Sequence, residues 1–368
     1  MSDAPQSEAM PYKVSFLRRH VRALIASVAL AAGLGWIMHK GALPLLPPQG
    51  TLDRVDWFRV ALLTLSLIVS IGGRFVRWAF LLAPFAKVPF RRLMAISCIS
   101  VGLITFLPFR LGEVARPAML RQKGKISGWA VTGTVGAERI IDGVLFSVML
   151  LLGLAFAAPH EPLPERIGNL PVPAAYVPRA AMVASIFFGF AFLCMAAFFW
   201  WRATARRLTE RVLGLFSQRV ATLVATAVER VSDGLSFLPN LRYTVPYVLL
   251  TVFALVAHIW GIQQLALAVG LPDLTFAEAT VLVGVLGLGF AMPNAPGFFG
   301  SVQLALYAGL AVYVAPEKVI HEGAAFVFLF YVSYLVLVIL LSLLGVLLEY
   351  GSSAEAVGIG TPLDGRSG

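Results

Sequence analysis

A polytopic, all-helical membrane fold follows from three observations. The chain of 368 residues is 59% hydrophobic and only 13% charged, whereas a soluble domain carries about 25% charged residues. Its mean hydropathy is +0.84, and apolar runs long enough to cross a hydrocarbon core of about 30 Å recur along it. Two Pro/Gly breaks interrupt such runs about half a chain apart: LPFRLGEVAR at residues 107–116 and MPNAPGFFGS at residues 292–301. Both carry the frame Pro-x-x-x-Gly, as Pro108/Gly112 and Pro293/Gly297. Pro and Gly interrupt helices, and inside a bilayer a break persists only where protein or a water-filled cavity satisfies the freed backbone groups. The expected fold is about six full spans plus two broken hairpins, arranged as an inverted repeat.

Taken in order, residues 1–20 read as a cytoplasmic N-terminal tail. Arg18, Arg19 and Arg22 precede a first span at 23–38 with no clear cleavage site before His39 and Lys40. A second span covers 57–73. Arg74, Arg77, Lys87, Arg91 and Arg92 then form a basic, acid-free segment, which the positive-inside rule puts in the cytoplasm. The apolar run 93–107 is short and is followed by more basic residues, so a hairpin that returns to the cytoplasm fits better than a crossing. Residues 129–158 cross outward to a Pro-rich loop and 180–201 cross back. Residues 202–242 read as an amphipathic helix on the inner surface, with Leu208, Val212, Leu215 and Leu223 at helical spacing; a solvated linker helix is the competing reading. Residues 245–269 cross outward, 279–292 and 297–314 form the second hairpin, and 323–348 return. The transmembrane domain is thus 21–349, with halves 21–158 and 180–349, and 350–368 form a flexible cytoplasmic tail. An odd number of crossings separates the halves, so they face opposite ways. Paired interruptions of this kind point to a transporter-like site.

The charged residues beside the first break carry the most chemistry. Arg110, Glu113 and Arg116 follow or flank Gly112, and a helix resuming there makes Glu113 and Arg116 neighbours at i, i+3. The helix start suits an anion, and arginine grips phosphate with a two-pronged geometry; snorkelling of both arginines to headgroups is the alternative. Glu138, Arg139 and Asp142 form a second cluster a little inside the inner surface, with Arg139 and Asp142 paired at i, i+3. Such groups face the bundle interior, as a structural lock or as part of a gate. The second break offers only neutral groups: Asn294, Pro296, Gly297, Gly300, Ser301 and Gln303, of which Asn294 and Gln303 join the charged clusters as expected substrate-binding and translocation residues. His258, Gln263 and Gln264 are further buried-polar candidates. Trp36, Trp57, Trp78, Trp200 and Trp201 read as interface anchors.

Several classes are excluded. Cys98 and Cys194 sit in apolar runs as small hydrophobes, and five scattered histidines give no ligand spacing, so no metal is expected. The net charge of +10 gathers in alternate loops, as orientation signals do, and not in a nucleic-acid patch. No Walker motif occurs, no cofactor is implied, and no loop is long enough for a sizeable catalytic domain, so no enzyme activity is expected.

The segments LPFRLGEVARPAML, AERIIDGV and MPNAPGFFGSVQLAL, in that order, resemble the lysylphosphatidylglycerol synthase transmembrane family, a flippase-like membrane region. The resemblance covers nearly the whole chain. It implies that Pro108, Arg110, Gly112, Glu113 and Arg116 form one family motif, Glu138, Arg139 and Asp142 a second, and Pro296, Gly297 and Gly300 a third. The third departs from the pattern, with Phe298 for a glycine and Gln303 where an acid is usual. The soluble aminoacyl-transferase region of two-domain relatives has no counterpart here, so lysyl transfer is not expected. The resulting expectation is a translocator in the bacterial cytoplasmic (inner) membrane with both termini cytoplasmic. It would move an anionic or zwitterionic phospholipid, or a polyprenyl-phosphate carrier. Its partners are membrane lipid and, further out, a second copy of itself or an envelope lipid-modifying enzyme. A secondary transporter of a small anion and a non-transporting scaffold are the alternatives.

Overall fold

The computed structural model describes residues 12–84, 88–107, 112–113, 115–121, 128–157, 159, 163–170, 176–215, 217–233, 236–237, 239–271, 273–291 and 295–358. The helices are α1 (Tyr12–Lys40), α2 (Trp57–Leu82), α3 (Phe90–Phe106), α4 (Ala115–Arg121), α5 (Gly128–Phe156), α6 (Tyr176–Trp200), α7 (Arg202–Gly214), α8 (Gln218–Asp233), α9 (Leu241–Ala268), α10 (Phe276–Ala291), α11 (Ser301–Tyr313), α12 (Pro316–Ile320) and α13 (Glu322–Gly358). Among the described residues the only β feature is an isolated bridge between Ile167 and Leu170. Among the described residues five segments are long and apolar enough to cross a membrane: α2, α5, α6, α9 and the unit α12–α13. This is a multi-pass helical membrane protein. The first expected span is helical as α1 but is not among those five.

The centre of the bundle is the antiparallel pair α2–α9. Asp56 ends the preceding loop and caps α2, its Oδ1 accepting from the Phe58 N–H at 3.0 Å. Its own N–H donates to Ala268 O at 3.0 Å, fixing the start of α2 to the end of α9. Small residues bring the two backbones close: a Cβ on Gly73 would lie 3.2 Å from that of Ala254, and one on Gly261 would run into Ser66. Around this pair the packing is reciprocal. Helix α3 lies on α13, where a Cβ on Gly345 would meet Ala95 O at 2.9 Å, and α10 lies on α5, where Gly153 faces Ala277 O.

Each broken segment doubles back. Helix α10 has 16 residues and α11 has 13, about 24 Å and 20 Å at 1.5 Å per residue. They run antiparallel, with Gly289 against Ser301 and Ala305, and Gly309 against Leu282. Helix α3 has 17 residues, about 26 Å, and Arg92 near its start donates to Met119 O on α4 at 3.3 Å. No arm of either hairpin matches the five spanning helices in length. The apolar core joins α2, α9, α10, α11 and α13 through Leu63, Ile262, Leu282, Leu306, Phe326 and Phe330. Helix α6 leaves Val183, Ile186, Phe187, Phe190 and Leu193 exposed, a surface that water would not tolerate and lipid would.

Several boundaries differ from the sequence expectation. The second span does not stop at Gly73; α2 continues to Leu82 and takes Arg74 and Arg77 into the bundle. Helix α1 begins at Tyr12, inside the expected tail, and α13 runs past Tyr350 to Gly358. The expected surface helix is two helices, α7 and α8. Ala221 and Ala225 of α8 are buried as it packs on α5 and α6, while Leu208, Val212, Leu215 and Leu223 stay exposed. Trp78 is no interface anchor but fully buried, whereas Trp36, Trp57, Trp200 and Trp201 are exposed as expected.

Candidate functional site

The first break is held by Gly112. A Cβ there would collide with the backbone of Leu103 and Ile104, so no other residue lets the returning chain lie against α3. Pro108 and Arg110 lie outside the described residues. Just beyond, α4 presents Arg116, which is 6% exposed. Its guanidinium stacks over Trp78 at 5.0 Å and its Nη1 donates to Glu138 Oε2 at 2.9 Å.

Helix α5 supplies Glu138, Arg139 and Asp142, and α2 supplies the counter-charges. Arg77, only 2% exposed, donates from Nη2 to Glu138 Oε1 at 3.0 Å and to both Asp142 oxygens at 2.6 Å. Its Nη1 donates to Thr251 Oγ1 on α9 at 3.1 Å, and its guanidinium lies 5.2 Å from the centre of the Tyr247 ring. Arg139 Nε lies 3.3 Å from Glu113 Oε1. The expected i, i+3 pairs therefore give way to contacts between elements. Asp142 takes Arg77 and not Arg139, and Glu113 takes Arg139 while its neighbour Arg116 takes Glu138. The reason is geometric: side chains on α5 that face the bundle interior meet α2 and the break before they meet each other. Glu138 bridges two arginines, and this buried network ties α2, α4 and α5 together.

The network forms one wall of a cavity of about 620 Å³, the size range of small-molecule sites. Arg74, Glu113, Arg116, Glu138, Arg139 and Asp142 all line it. Much of the remaining lining is apolar and includes Ile104, Val283, Leu286, Phe290, Phe298 and Phe330 from α3, α10, α13 and the second break. His258 of α9 also faces it, 8% exposed and stacked flat on Phe330 at 6.1 Å.

The second break contributes shape. Ala295 leads into a single 3-10 turn, Pro296–Phe298, in which Gly297 has φ of 74°. Gly300 has φ of 83°, and a Cβ there would collide with Leu34 of α1. Gln303, expected among the translocation residues, is not in the cavity wall. It is 4% exposed and its Oε1 accepts from Gly300 N at 2.8 Å, satisfying a free N–H at the start of α11. Pro293 and Asn294 lie outside the described residues. From this break only Phe298 reaches the cavity among the described residues.

Sequence reasoning placed Arg74 and Arg77 in a cytoplasmic segment, and it gave His258 as a buried-polar candidate without assigning it to the site. The signal for the two arginines was present: Phe75, Trp78, Leu81 and Leu82 continue the apolar period of α2 beyond Gly73. His258 stands out as a polar residue in a long apolar run, but nothing in its spacing ties it to the charged cluster.

Comparison with curated proteins and with solved structures gives no match. The family described as lysylphosphatidylglycerol synthase TM region matches residues 24–342. That match takes in both breaks, the charged network and every wall of the cavity, and the chain belongs to this family.

Proposed function

We propose that the chain is a lipid translocator of the bacterial cytoplasmic membrane, with no enzymatic step of its own. The observation that carries this reading is the mixed lining of the cavity: arginines and carboxylates on one part of its wall, aliphatic and aromatic side chains on the rest. A headgroup needs the first and the adjoining chains need the second. A small soluble anion needs only the first, so the apolar wall favours an amphiphile. A group of charges this deep in a spanning bundle is costly unless function retains it.

In this reading the halves form an inverted repeat. Helix α2 pairs with α9 as its antiparallel mate, α3 on α13 mirrors α10 on α5, and both hairpins are re-entrant from opposite sides. Both termini lie in the cytoplasm, on the side of Arg91 and Arg92 and of the α7–α8 pair, which carries Arg206, Arg207, Arg211 and Arg219.

The test is reconstitution into vesicles with a fluorescent phospholipid, read by its exposure to a membrane-impermeant quencher. The wild-type protein should speed exchange between leaflets. Ala291→Trp, which fills the cavity from the end of α10, should stop it at an unchanged melting temperature. Folded wild-type protein that moves no lipid, or an Ala291→Trp variant as fast as wild type, contradicts the reading.

A further inference from the structure

Three polar groups in the cavity stand apart from the paired network. Arg77, Arg116 and Arg139 each lie within 3.3 Å of a carboxylate oxygen. Arg74 has no carboxylate within ion-pair distance among the described residues; its guanidinium sits 5.6 Å from the Phe146 ring centre. Ser70, one turn earlier on the same face of α2, is 4% exposed and also lines the cavity. His258 approaches from α9, and neither ring nitrogen has a hydrogen-bond partner among the described residues. Gly73 faces Ala254 across the α2–α9 contact, so His258 lies one helical turn further along, about 6 Å, beside Ser70. A buried imidazole without a partner is costly unless something else fills its hydrogen bonds.

We propose that Ser70, Arg74 and His258 form a subsite for a single phosphate monoanion, the phosphodiester of a lipid headgroup. This rests on the translocator reading and narrows its substrate class. Arg74 provides the charge, and the hydroxyl and imidazole provide neutral donors to the remaining phosphate oxygens. Charge balance sets the class. Among the described residues the paired network holds three arginines against three carboxylates, so Arg74 beside it leaves one positive charge in excess. One negative charge neutralises it, while a diphosphate would leave further negative charge buried without a partner.

The experiment measures binding and movement on the same full-length protein. Short-chain phosphatidylglycerol, farnesyl diphosphate and inorganic phosphate are titrated in detergent, and phosphatidylglycerol movement is followed in vesicles. Phosphatidylglycerol should bind at least about tenfold more tightly than either other probe. Arg74→Gln should weaken it by about tenfold or more, because a charge-assisted contact is lost. His258→Phe, which keeps the stack on Phe330, should weaken it as well, and His258→Gln should retain more binding because a neutral donor remains. Melting temperatures close to wild type exclude misfolding, which Arg74→Gln should not cause because Arg74 holds no ion pair among the described residues. Equal binding by farnesyl diphosphate, by inorganic phosphate or by both variants overturns the subsite. Phosphatidylglycerol bound by Arg74 but not moved in vesicles upholds the subsite and sinks the translocator reading alone.

Discussion

Around the first break Gly112 brings the chain against the backbone of α3, and arginines and carboxylates from α2, α4 and α5 gather behind it. Around the second break Gly297 and Gly300 turn with positive φ, and Gln303 folds its amide back onto Gly300. The punctuation is similar and the surroundings are opposite. A broken helix in a bilayer must satisfy its freed backbone groups from nearby protein. At the second break the chain does so locally, with its own side chain and two glycines. The first break supplies Glu113 and Arg116 to a charged network that α2 and α5, from two other places in the sequence, complete. A break that closes on itself offers a ligand little except shape, whereas one that opens onto ion pairs can exchange them for a charged headgroup.

The largest effect expected of this contrast is at Gly112. Gly112→Ala forces a methyl into the backbone of Leu103 and Ile104 and should cost about 5 kcal/mol or more, seen as loss of folded protein in detergent. Next come Arg77→Leu and Asp142→Leu. Each leaves a buried charge without its partner and should cost about 3–5 kcal/mol, while the double variant recovers most of that loss in thermal melting. At the second break the costs are smaller. Gly297→Ala places a side chain at φ of 74°, worth about 1–2 kcal/mol. Gln303→Leu removes one helix-start hydrogen bond, worth about 1 kcal/mol. If Gln303→Leu cost as much as Asp142→Leu, the two breaks would not differ in kind.

Much of the architecture was legible because it is written in composition and spacing. The spans follow apolar runs, the chain doubles back around Gly112 and Gly297, and α7–α8 follow their basic, amphipathic pattern. The partners were not legible. Spacing along α5 pairs Arg139 with Asp142, but Asp142 meets Arg77, 65 residues away in the chain, a contact that only the packing of α2 on α5 creates. Arg74 and Arg77 were read as loop charges because a positive residue at the end of an apolar run is the ordinary sign of a cytoplasmic end. That rule fails at Arg77, whose charge the carboxylates of α5 take inside the bundle, and Arg74 follows on the same helix. Gln303 misled in the opposite direction: a buried amide near a break suggests a ligand, while its place three residues after Gly300 is where a helix start is capped.

The most direct test of the asymmetry compares lipid movement by two variants of matched stability. In Arg116→Gln/Glu138→Gln an ion pair of the first break becomes a neutral pair while Arg77 keeps Asp142, so no charge is stranded. In Gln303→Leu the second break loses its cap. Vesicles holding equal amounts of folded protein should show movement abolished by the first variant and retained by the second. Normal movement by the Arg116→Gln/Glu138→Gln protein, or its loss in well-folded Gln303→Leu, would contradict a translocation site built on the charged break.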